Sequence, residues 1–190
     1  MVIGITGKSG SGKSFLAEQL KEKIGGIHVD IDKISHDVLS NTTSQEFVKA
    51  EFGETVFENG KINRKKLGQI VFNNKAKLEK LNRFCQAQME QEIDDIISSN
   101  NCPIILDYAL LPWLRQFDSI DIKILVSTTF EERFKRVNSR ENISKEYFEK
   151  RDNSIESYDS FSFDLTLDSS CNIDTEKLIK TINQLGGKND

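Results

Sequence analysis

A glycine-rich segment near the start of this 190-residue chain constrains its fold more than any other feature. The segment reads Gly7-Lys8-Ser9-Gly10-Ser11-Gly12-Lys13-Ser14 and follows the apolar stretch Val2–Thr6. It matches G-x-x-x-x-G-K-[ST], the pattern of a phosphate-binding loop between a strand and a helix. Glycine lets such a loop turn tightly enough to direct several backbone N–H groups at one anion. The sequence therefore predicts an α/β fold that binds a nucleotide.

The residues of this loop have distinct expected roles. Lys13 supplies a positive charge for the β- and γ-phosphates, and the hydroxyl of Ser14 is placed to ligate Mg²⁺. The helix that begins there offers its positive N-terminus to the same phosphates. ATP and Mg²⁺ are the expected cofactors, and the contacts to ATP are assigned to Gly7, Ser9, Gly10, Ser11, Gly12, Lys13 and Ser14.

Composition and charge narrow the class of protein. A net charge of −4 argues against a general nucleic-acid binder. No apolar run approaches the ~20 residues that span a bilayer, and no signal-peptide pattern precedes the loop, so we expect a cytoplasmic protein. The three cysteines lack metal-ligand spacing and are expected to be reduced. We expect a small-molecule substrate, no membrane partner, and a monomer or weak homo-oligomer.

Hydrophobic periodicity predicts a parallel α/β sheet flanked by helices, with one inserted helical block. Strands are expected at 2–6, 27–31, 103–107, 122–126 and 161–167, with helices between them. The core that contains the sheet is assigned to 1–40 and 101–190. Residues 41–97 form a mainly helical insertion, in which Asn63 caps a helix whose apolar face ends at Val71 and Phe72. A lid is placed at about 138–160.

A pair of carboxylates ends the predicted second strand. Asp30 and Asp32 lie two residues apart, so on an extended chain both point to one face. At the carboxyl edge of a parallel sheet that face borders the ligand crevice. One of them, Asp32 by preference, can accept the proton of an attacking hydroxyl. The alternative is a solvated strand end that caps a helix.

Asp107 follows the buried strand Ile104–Leu106. An apolar strand followed by Asp is the second signature of P-loop nucleoside triphosphatases, and that Asp usually contacts Mg²⁺ through a water molecule. A plain strand-ending carboxylate has the same pattern, and the sequence alone leaves the two interpretations open. The isolated His28 and His36 favour structural or surface roles.

Three arginines, Arg133, Arg136 and Arg140, are spaced by three and four residues. Guanidinium groups match the charge that spreads over a transferring phosphoryl group. A break expected at Asn138-Ser139 suggests a hinged lid that closes over ATP and excludes water. The alternative is a solvated basic face paired with neighbouring glutamates.

The chain resembles the dephospho-coenzyme A kinase family over most of its length, to about residue 170. The resemblance lies in the phosphate-binding loop, in Val29-Asp30-Ile31-Asp32-Lys33-Ile34, in Gly60–Gly68 with Val71-Phe72, and in Asp107 with Leu110-Leu111. The chain departs from the family's pattern at Cys85-Gln86, where His-Pro is usual, and at Ser169, where Asn is frequent. It also lacks the Glu that usually follows the third strand.

This resemblance implies a P-loop kinase that transfers the γ-phosphate of ATP to the ribose 3′-hydroxyl of dephospho-coenzyme A. It implies that Asp32 is the base, that Arg64 serves the acceptor side, and that Arg136 and Arg140 belong to the lid. Asp30 and Asp107 complete the expected substrate-binding residues. Two alternatives stay open: another P-loop kinase of a nucleoside, nucleotide or small molecule, and a nucleotide-binding protein that phosphorylates nothing.

Overall fold

A computed structural model describes residues 1–71 and 73–187 of the chain. The strands are β1 (Val2–Thr6), β2 (Ile27–Asp30), β3 (Phe57–Glu58), β4 (Lys61–Ile62), β5 (Ile104–Asp107), β6 (Ile122–Ser127) and β7 (Leu165–Asp168). The helices are α1 (Lys13–Ile24), α2 (Ile31–Asp37), α3 (Thr42–Phe52), α4 (Arg64–Val71), α5 (Lys75–Ser99), α6 (Phe130–Glu141), α7 (Lys145–Asn153) and α8 (Thr175–Gly186). Phe72, which the sequence places on an apolar helix face, lies outside the described residues.

The chain divides into two compact units, one formed by residues 1–30 and 97–190 and the other by residues 31–96. The second unit thus begins earlier in the chain than the insertion expected from the sequence at 41–97. No helix within residues 1–71 and 73–187 is both long and apolar enough to cross a membrane.

A five-stranded parallel sheet in the order β2-β5-β1-β6-β7 organises the first unit. Strand β1 is central, and its residues are almost entirely apolar because helices cover both faces of such a sheet. In register, Ile5 pairs with Asp107 on one side and with Ile124 on the other. The loop after β1 therefore leaves the carboxyl edge of the sheet at its middle strand. A core of buried aliphatic side chains packs α1 and α8 on this sheet, and it contains Ile3, Ile5, Leu16, Leu20, Ile124 and Ile182.

The second unit has a hydrophobic core of its own, formed by Val48, Phe52, Val56, Leu67, Val71 and Leu81. The Asn59-Gly60 turn joins β3 to β4 with positive φ angles of 50° and 73°, which is typical of Asn-Gly in a tight hairpin. The predicted cap of α4 is confirmed, because Asn63 Oδ1 accepts a hydrogen bond from the backbone N–H of Lys66.

The predicted extension of the second strand through Ile31 is wrong. Strand β2 ends at Asp30, and Ile31 begins α2, so Asp32 lies in the first turn of a helix. The two carboxylates therefore do not share one face of an extended strand. The apolar residues Ile31 and Ile34 explain the difference, because both are buried and their spacing of three is helical.

The final strand is also shorter than predicted. Phe161 and Phe163 alternate with polar residues, but β7 begins only at Leu165. Both phenyl rings instead contact Phe117 edge-on, and Phe161 also contacts Trp113. Alternation of apolar and polar residues fits a strand, but it fits a cluster of aromatic side chains equally well. The sequence pattern therefore could not distinguish the two.

Candidate active site

The predicted phosphate-binding loop lies between β1 and α1, where Ser11 donates a backbone hydrogen bond to Lys8 at 3.0 Å. Gly12 precedes the first residue of α1 in a left-handed conformation, with φ at 92°. Gly10 has φ at 80°, and a Cβ atom there would lie 2.6 Å from the carbonyl oxygen of Arg133. Only glycine combines that dihedral with so close an approach of another backbone. The loop thus packs directly against helix α6.

Lys13, at the start of α1, faces Asp107 at the end of β5. The Lys13 amine lies 3.7 Å from Asp107 Oδ1, and only 2% of the Asp107 side chain is exposed. Asp107 is also paired in register with Asp30, the last residue of β2. Two carboxylates therefore end adjacent parallel strands, at the edge where ligands bind in open α/β sheets.

His28 has a structural role beside this site, where it contacts Asp107. Its Nε2 atom lies 3.3 Å from Asp107 Oδ2, and its Nδ1 atom lies 2.9 Å from Glu18 Oε2. Burial opposes ionisation of Asp107, but the His28 hydrogen bond, the Lys13 charge and the Ser14 hydroxyl outweigh it. Together they hold the pKa of Asp107 below its usual range. The carboxylate is therefore charged at neutral pH.

The residues at this edge fit a magnesium ion. Asp107 Oδ1 is buried, and it makes no hydrogen bond of ordinary geometry with any described residue. No group of three or more His, Cys, Asp or Glu side chains suited to a metal occurs in the described parts of the chain. Mg²⁺ needs no such cage, because it keeps several waters and is held by one or two protein groups together with substrate phosphates.

Arg136 of α6 joins the loop to the segment that follows β7. Its Nη1 atom donates to Ser169 Oγ at 3.0 Å and lies 3.3 Å from the carbonyl oxygen of Gly10. Its Nη2 atom donates to the carbonyl oxygen of Ser169 at 2.7 Å. The serine that replaces the family's frequent asparagine thus still anchors this arginine.

A cleft of about 390 Å³ opens beside Gly12 and Arg136. The wall contributed by α1 includes Phe15, whose side chain is 69% exposed, and Leu16. The segment 169–173, which follows β7, also lines the cleft. An aromatic ring, an aliphatic side chain and a guanidinium group together suit a flat aromatic base, because such bases stack on apolar and cationic surfaces.

The expected break at Asn138-Ser139 is wrong. Helix α6 continues to Glu141 and ends at Asn142, which adopts a left-handed conformation with φ at 49°. The helix persists because Val137 is buried and continues its apolar side. Both α6 and α7 begin at a capping side chain, since Thr129 accepts from the N–H of Glu132 and Ser144 accepts from the N–H of Tyr147.

The arginines of this region have different surroundings. Arg140 is largely exposed and donates to Glu141 at 3.2 Å. Arg133 is buried and forms a two-pronged ion pair with Asp152 of α7. Arg151, which was not among the predicted site residues, donates to Ser9 Oγ at 2.9 Å and to Glu141 at 2.6 Å. Nothing in the local sequence marks Arg151, since its partner Ser9 lies 142 residues away.

Within the second unit, the proposed acceptor-side Arg64 begins α4 and donates to the backbone carbonyl of His36. Cys85, which stands in place of the family's usual histidine, is half-buried on α5. Burial raises the pKa of its thiol, and the nearby charge of Arg64 opposes that rise. The Cys85 side chain therefore stays a neutral neighbour of this arginine.

Comparison with known proteins identifies the family. The family model described as dephospho-CoA kinase matches residues 1–159. The chain belongs to the dephospho-CoA kinase family. A dephospho-CoA kinase from Fusobacterium nucleatum is 35% identical over 152 residues, which cover 79% of this chain and 78% of that protein.

Solved structures support the fold of a dephospho-CoA kinase. The crystal structure of TT1252 from Thermus thermophilus matches with a TM-score of 0.77 at 24% identity, covering 99% of this chain and 97% of that one. Dephospho-CoA kinase from Campylobacter jejuni matches with a TM-score of 0.58 at 24% identity, covering 97% and 96%. The predicted resemblance to this family and the predicted P-loop kinase fold are thus confirmed. The family match ends before Ser169, so the segment that anchors Arg136 lies beyond it.

Proposed function

We propose that this chain phosphorylates dephospho-coenzyme A at the ribose 3′-hydroxyl, with ATP as donor and coenzyme A as product. The family match across residues 1–159 carries the proposal, because it includes both the loop and the Asp30–Asp32 segment. The buried Lys13–Asp107 pair at the carboxyl edge of the sheet supports it. This pair gives the site a fixed cation for phosphate oxygens and a charged carboxylate beside it.

The donor half of the reaction is assigned to the loop and to α6. The backbone N–H groups of Gly7–Ser14 and the Lys13 amine bind the phosphates of ATP. Arg136 also contacts the loop, where it donates to the carbonyl oxygens of Gly10 and Ser11. The cleft that Phe15 and segment 169–173 form receives the adenine ring.

Ser14 and Asp107 would hold Mg²⁺, which when bound neutralises charge on the β- and γ-phosphates. The buried Asp107 Oδ1 atom supports this assignment because it makes no ordinary hydrogen bond within the described residues. His28 keeps that carboxylate oriented through its contact with the other oxygen, Oδ2.

The acceptor half is assigned to Asp30, Asp32 and Arg64. The 3′-hydroxyl attacks the γ-phosphorus, the bond to the β-phosphate oxygen breaks, and ADP leaves. Asp32 accepts the proton of that hydroxyl, since a carboxylate within hydrogen-bond reach is a general base for this step. Arg64 binds the acceptor, and Arg140 with Arg136 is assigned to charge that develops during transfer.

The test is a transfer assay with purified protein, ATP, Mg²⁺ and dephospho-coenzyme A. We expect a product heavier by one phosphoryl group, whose ³¹P spectrum shows a 3′-phosphomonoester. Adenosine and a 3′-deoxy analogue of dephospho-coenzyme A serve as controls and should stay unmodified. ATP hydrolysis without transfer, or preferential phosphorylation of adenosine, would refute the proposed function.

The role of Asp32 is tested separately by Asp32→Asn, with Asp37→Asn as the matched control on the same helix. We expect the first change to reduce kcat by roughly 10²–10⁴-fold, the range for loss of a general base, with ATP affinity retained. We expect the control to keep nearly all activity because Asp37 is exposed and ends α2. Equal rates for Asp32→Asn and the wild type would remove Asp32 from the mechanism.

A further inference from the structure

A buried ion cluster beside the phosphate-binding loop has no part in the proposed transfer mechanism. Asp152 of α7 lies at its centre and binds the Arg133 guanidinium with both carboxylate oxygens. The amine of Lys8, the second residue of the loop, donates to the Asp152 carbonyl oxygen at 3.2 Å. The same amine lies 3.6 Å from Asp152 Oδ2. One carboxylate is thus shared by two cations from different elements.

Burial makes this cluster costly unless it fixes a geometry. The Asp152 side chain is 8% exposed, and Arg133 is similarly buried. An ion pair that loses its water gains little net stability over an apolar pair of the same volume. Removing one partner, by contrast, leaves an uncompensated buried charge. We therefore assign to this ion pair the role of fixing one arrangement of the helices and side chains that it joins, which is the best-supported function of buried ion pairs.

The surroundings leave the Arg133 side chain little freedom. Its guanidinium carbon lies 5.7 Å from the centre of the Phe130 ring and 5.8 Å from that of Phe148. Phe148 is fully buried, so its ring is fixed by packing. Burial opposes ionisation of Asp152, but Arg133 and Lys8 more than offset it and hold its pKa below the usual range. The carboxylate between them is therefore charged at neutral pH.

The cluster attaches the first half of the loop to α6 and α7. Lys8 is bound by Asp152, Ser9 by the adjacent Arg151, and Gly10 packs against the backbone of Arg133. Three consecutive loop residues thus have partners on α6 or α7. The Asp152 carbonyl oxygen accepts from one of the three donors of the Lys8 ammonium group. Asp152 Oδ2, at 3.6 Å, contributes charge and no hydrogen bond. The Lys8 side chain is 26% exposed, so its amine is open to a phosphate oxygen.

We propose that Asp152 is a positioning residue for ATP, and that Lys8 is a second phosphate-binding lysine which Asp152 holds in place. Asp152 of α7 fixes the Lys8 amine on one side and, through Arg133, helix α6 on the other. The loop amides and both lysines are then arranged before the nucleotide arrives, which reduces the entropy lost on binding. The inference rests on the proposed use of ATP and adds residues that the loop pattern does not specify.

Calorimetric titration with ATP and Mg²⁺ tests this without any acceptor. We expect Lys8→Met to raise the Kd for ATP about tenfold, the effect of losing one charge-assisted hydrogen bond. Lys8→Arg, which keeps a charged donor, should restore the Kd to within about twofold. Lys145→Met is the control, because Lys145 of α7 pairs with Glu131 of α6 through an exposed contact. We expect its Kd to match that of the wild type.

Asp152→Asn completes a double-mutant cycle with Lys8→Met. We expect each single change to raise the Kd about tenfold and the double variant to stay near about 20-fold, because the two residues act as a unit. In turnover, KM for ATP should rise while KM for dephospho-coenzyme A stays constant, a split that a general loss of folding would not produce. Melting temperatures identify the variants that fold. If Asp152→Asn does not fold, the Kd values of Lys8→Met and Lys8→Arg alone test the proposal.

Three results would overturn the inference: an unchanged Kd in Lys8→Met, no recovery in Lys8→Arg, or effects that multiply to about 100-fold in the double variant. Failure of the proposed function is a different observation. A wild-type protein that binds ATP but leaves dephospho-coenzyme A unmodified would refute the acceptor, and the Kd values would still test Asp152 and Lys8.

Discussion

Gly10→Ala examines how closely the phosphate-binding loop packs on α6. Gly10 has a φ of 80°, a conformation that costs an L-residue about 1–2 kcal/mol. A methyl group there would lie 2.6 Å from the carbonyl oxygen of Arg133 and 2.9 Å from its Cα atom. Both atoms are backbone and cannot rotate away. The helix or the loop must therefore shift.

The magnitude follows from these two contributions. Overpacking a well-packed site costs about 1–3 kcal/mol, so together with the dihedral cost we expect about 2–5 kcal/mol less stability. Gly25→Ala is the matched control, because Gly25 has a φ of 70° and a methyl group there would meet no described atom within 4 Å. That variant should lose only the dihedral contribution, about 1–2 kcal/mol.

Urea denaturation of both variants measures the difference in the free energy of unfolding, and ATP titration measures the effect on the loop. We expect Gly10→Ala to lose more stability than Gly25→Ala and also to bind ATP more weakly. Equal losses in the two variants would show that the close approach to Arg133 is not maintained in solution. Unchanged ATP affinity in Gly10→Ala would refute the link between this packing and nucleotide binding, because the loop would then tolerate the shift.

Three further changes have expected outcomes. Lys13→Ala should lower kcat/KM by roughly 10²–10³-fold, as for one preorganised donor, and an unchanged steady-state rate would remove Lys13 from the site. The pKa of His28 is raised chiefly by its hydrogen bond to Asp107 and also by Glu18, against burial, so protonated His28 stabilises the fold below its ordinary value of 6.5. That contribution is lost as the pH rises through the folded-state pKa, so the melting temperature of wild type relative to His28→Gln should fall from about pH 5.5 to about pH 8.5; a constant difference contradicts it. Thr129→Ala should cost about 1 kcal/mol in urea denaturation through loss of the α6 cap, and no cost would exclude that hydrogen bond as a stabilising contact.

Features that depend on a few neighbouring residues were predictable from the sequence. The loop pattern, the Asn59-Gly60 hairpin and the helix cap at Asn63 each need only local chemistry, and the structure contains all three. The parallel sheet followed from apolar strands that alternate with helices. Helix and strand boundaries were less accurate where a short apolar run fits both periods, as at Ile31.

Features that depend on distant pairing were not predictable. Arg133 and Arg136 have the spacing of residues on one helical face, but the side chains lie in different surroundings because Asp152 is available to one and Ser169 to the other. His28 gave no local sign of its place between Glu18 and Asp107. A charged residue looks alike in sequence whether it is solvated or buried, since only its long-range partner decides which.

The central place of β1 in the sheet has a consequence for synthesis of the chain. Strand β1 is made before its partners β5 and β6, which begin at Ile104 and Ile122. More than half of the chain must leave the ribosome before the strand that carries the loop has both neighbours, whereas the core of residues 31–96 depends on contacts within its own segment. Domains generally fold as units during synthesis, and long-range strand pairing is slow. A nascent chain that stalls before Ser127 would therefore expose an apolar N-terminal strand, and it would acquire nucleotide affinity only after the sheet closes around β1.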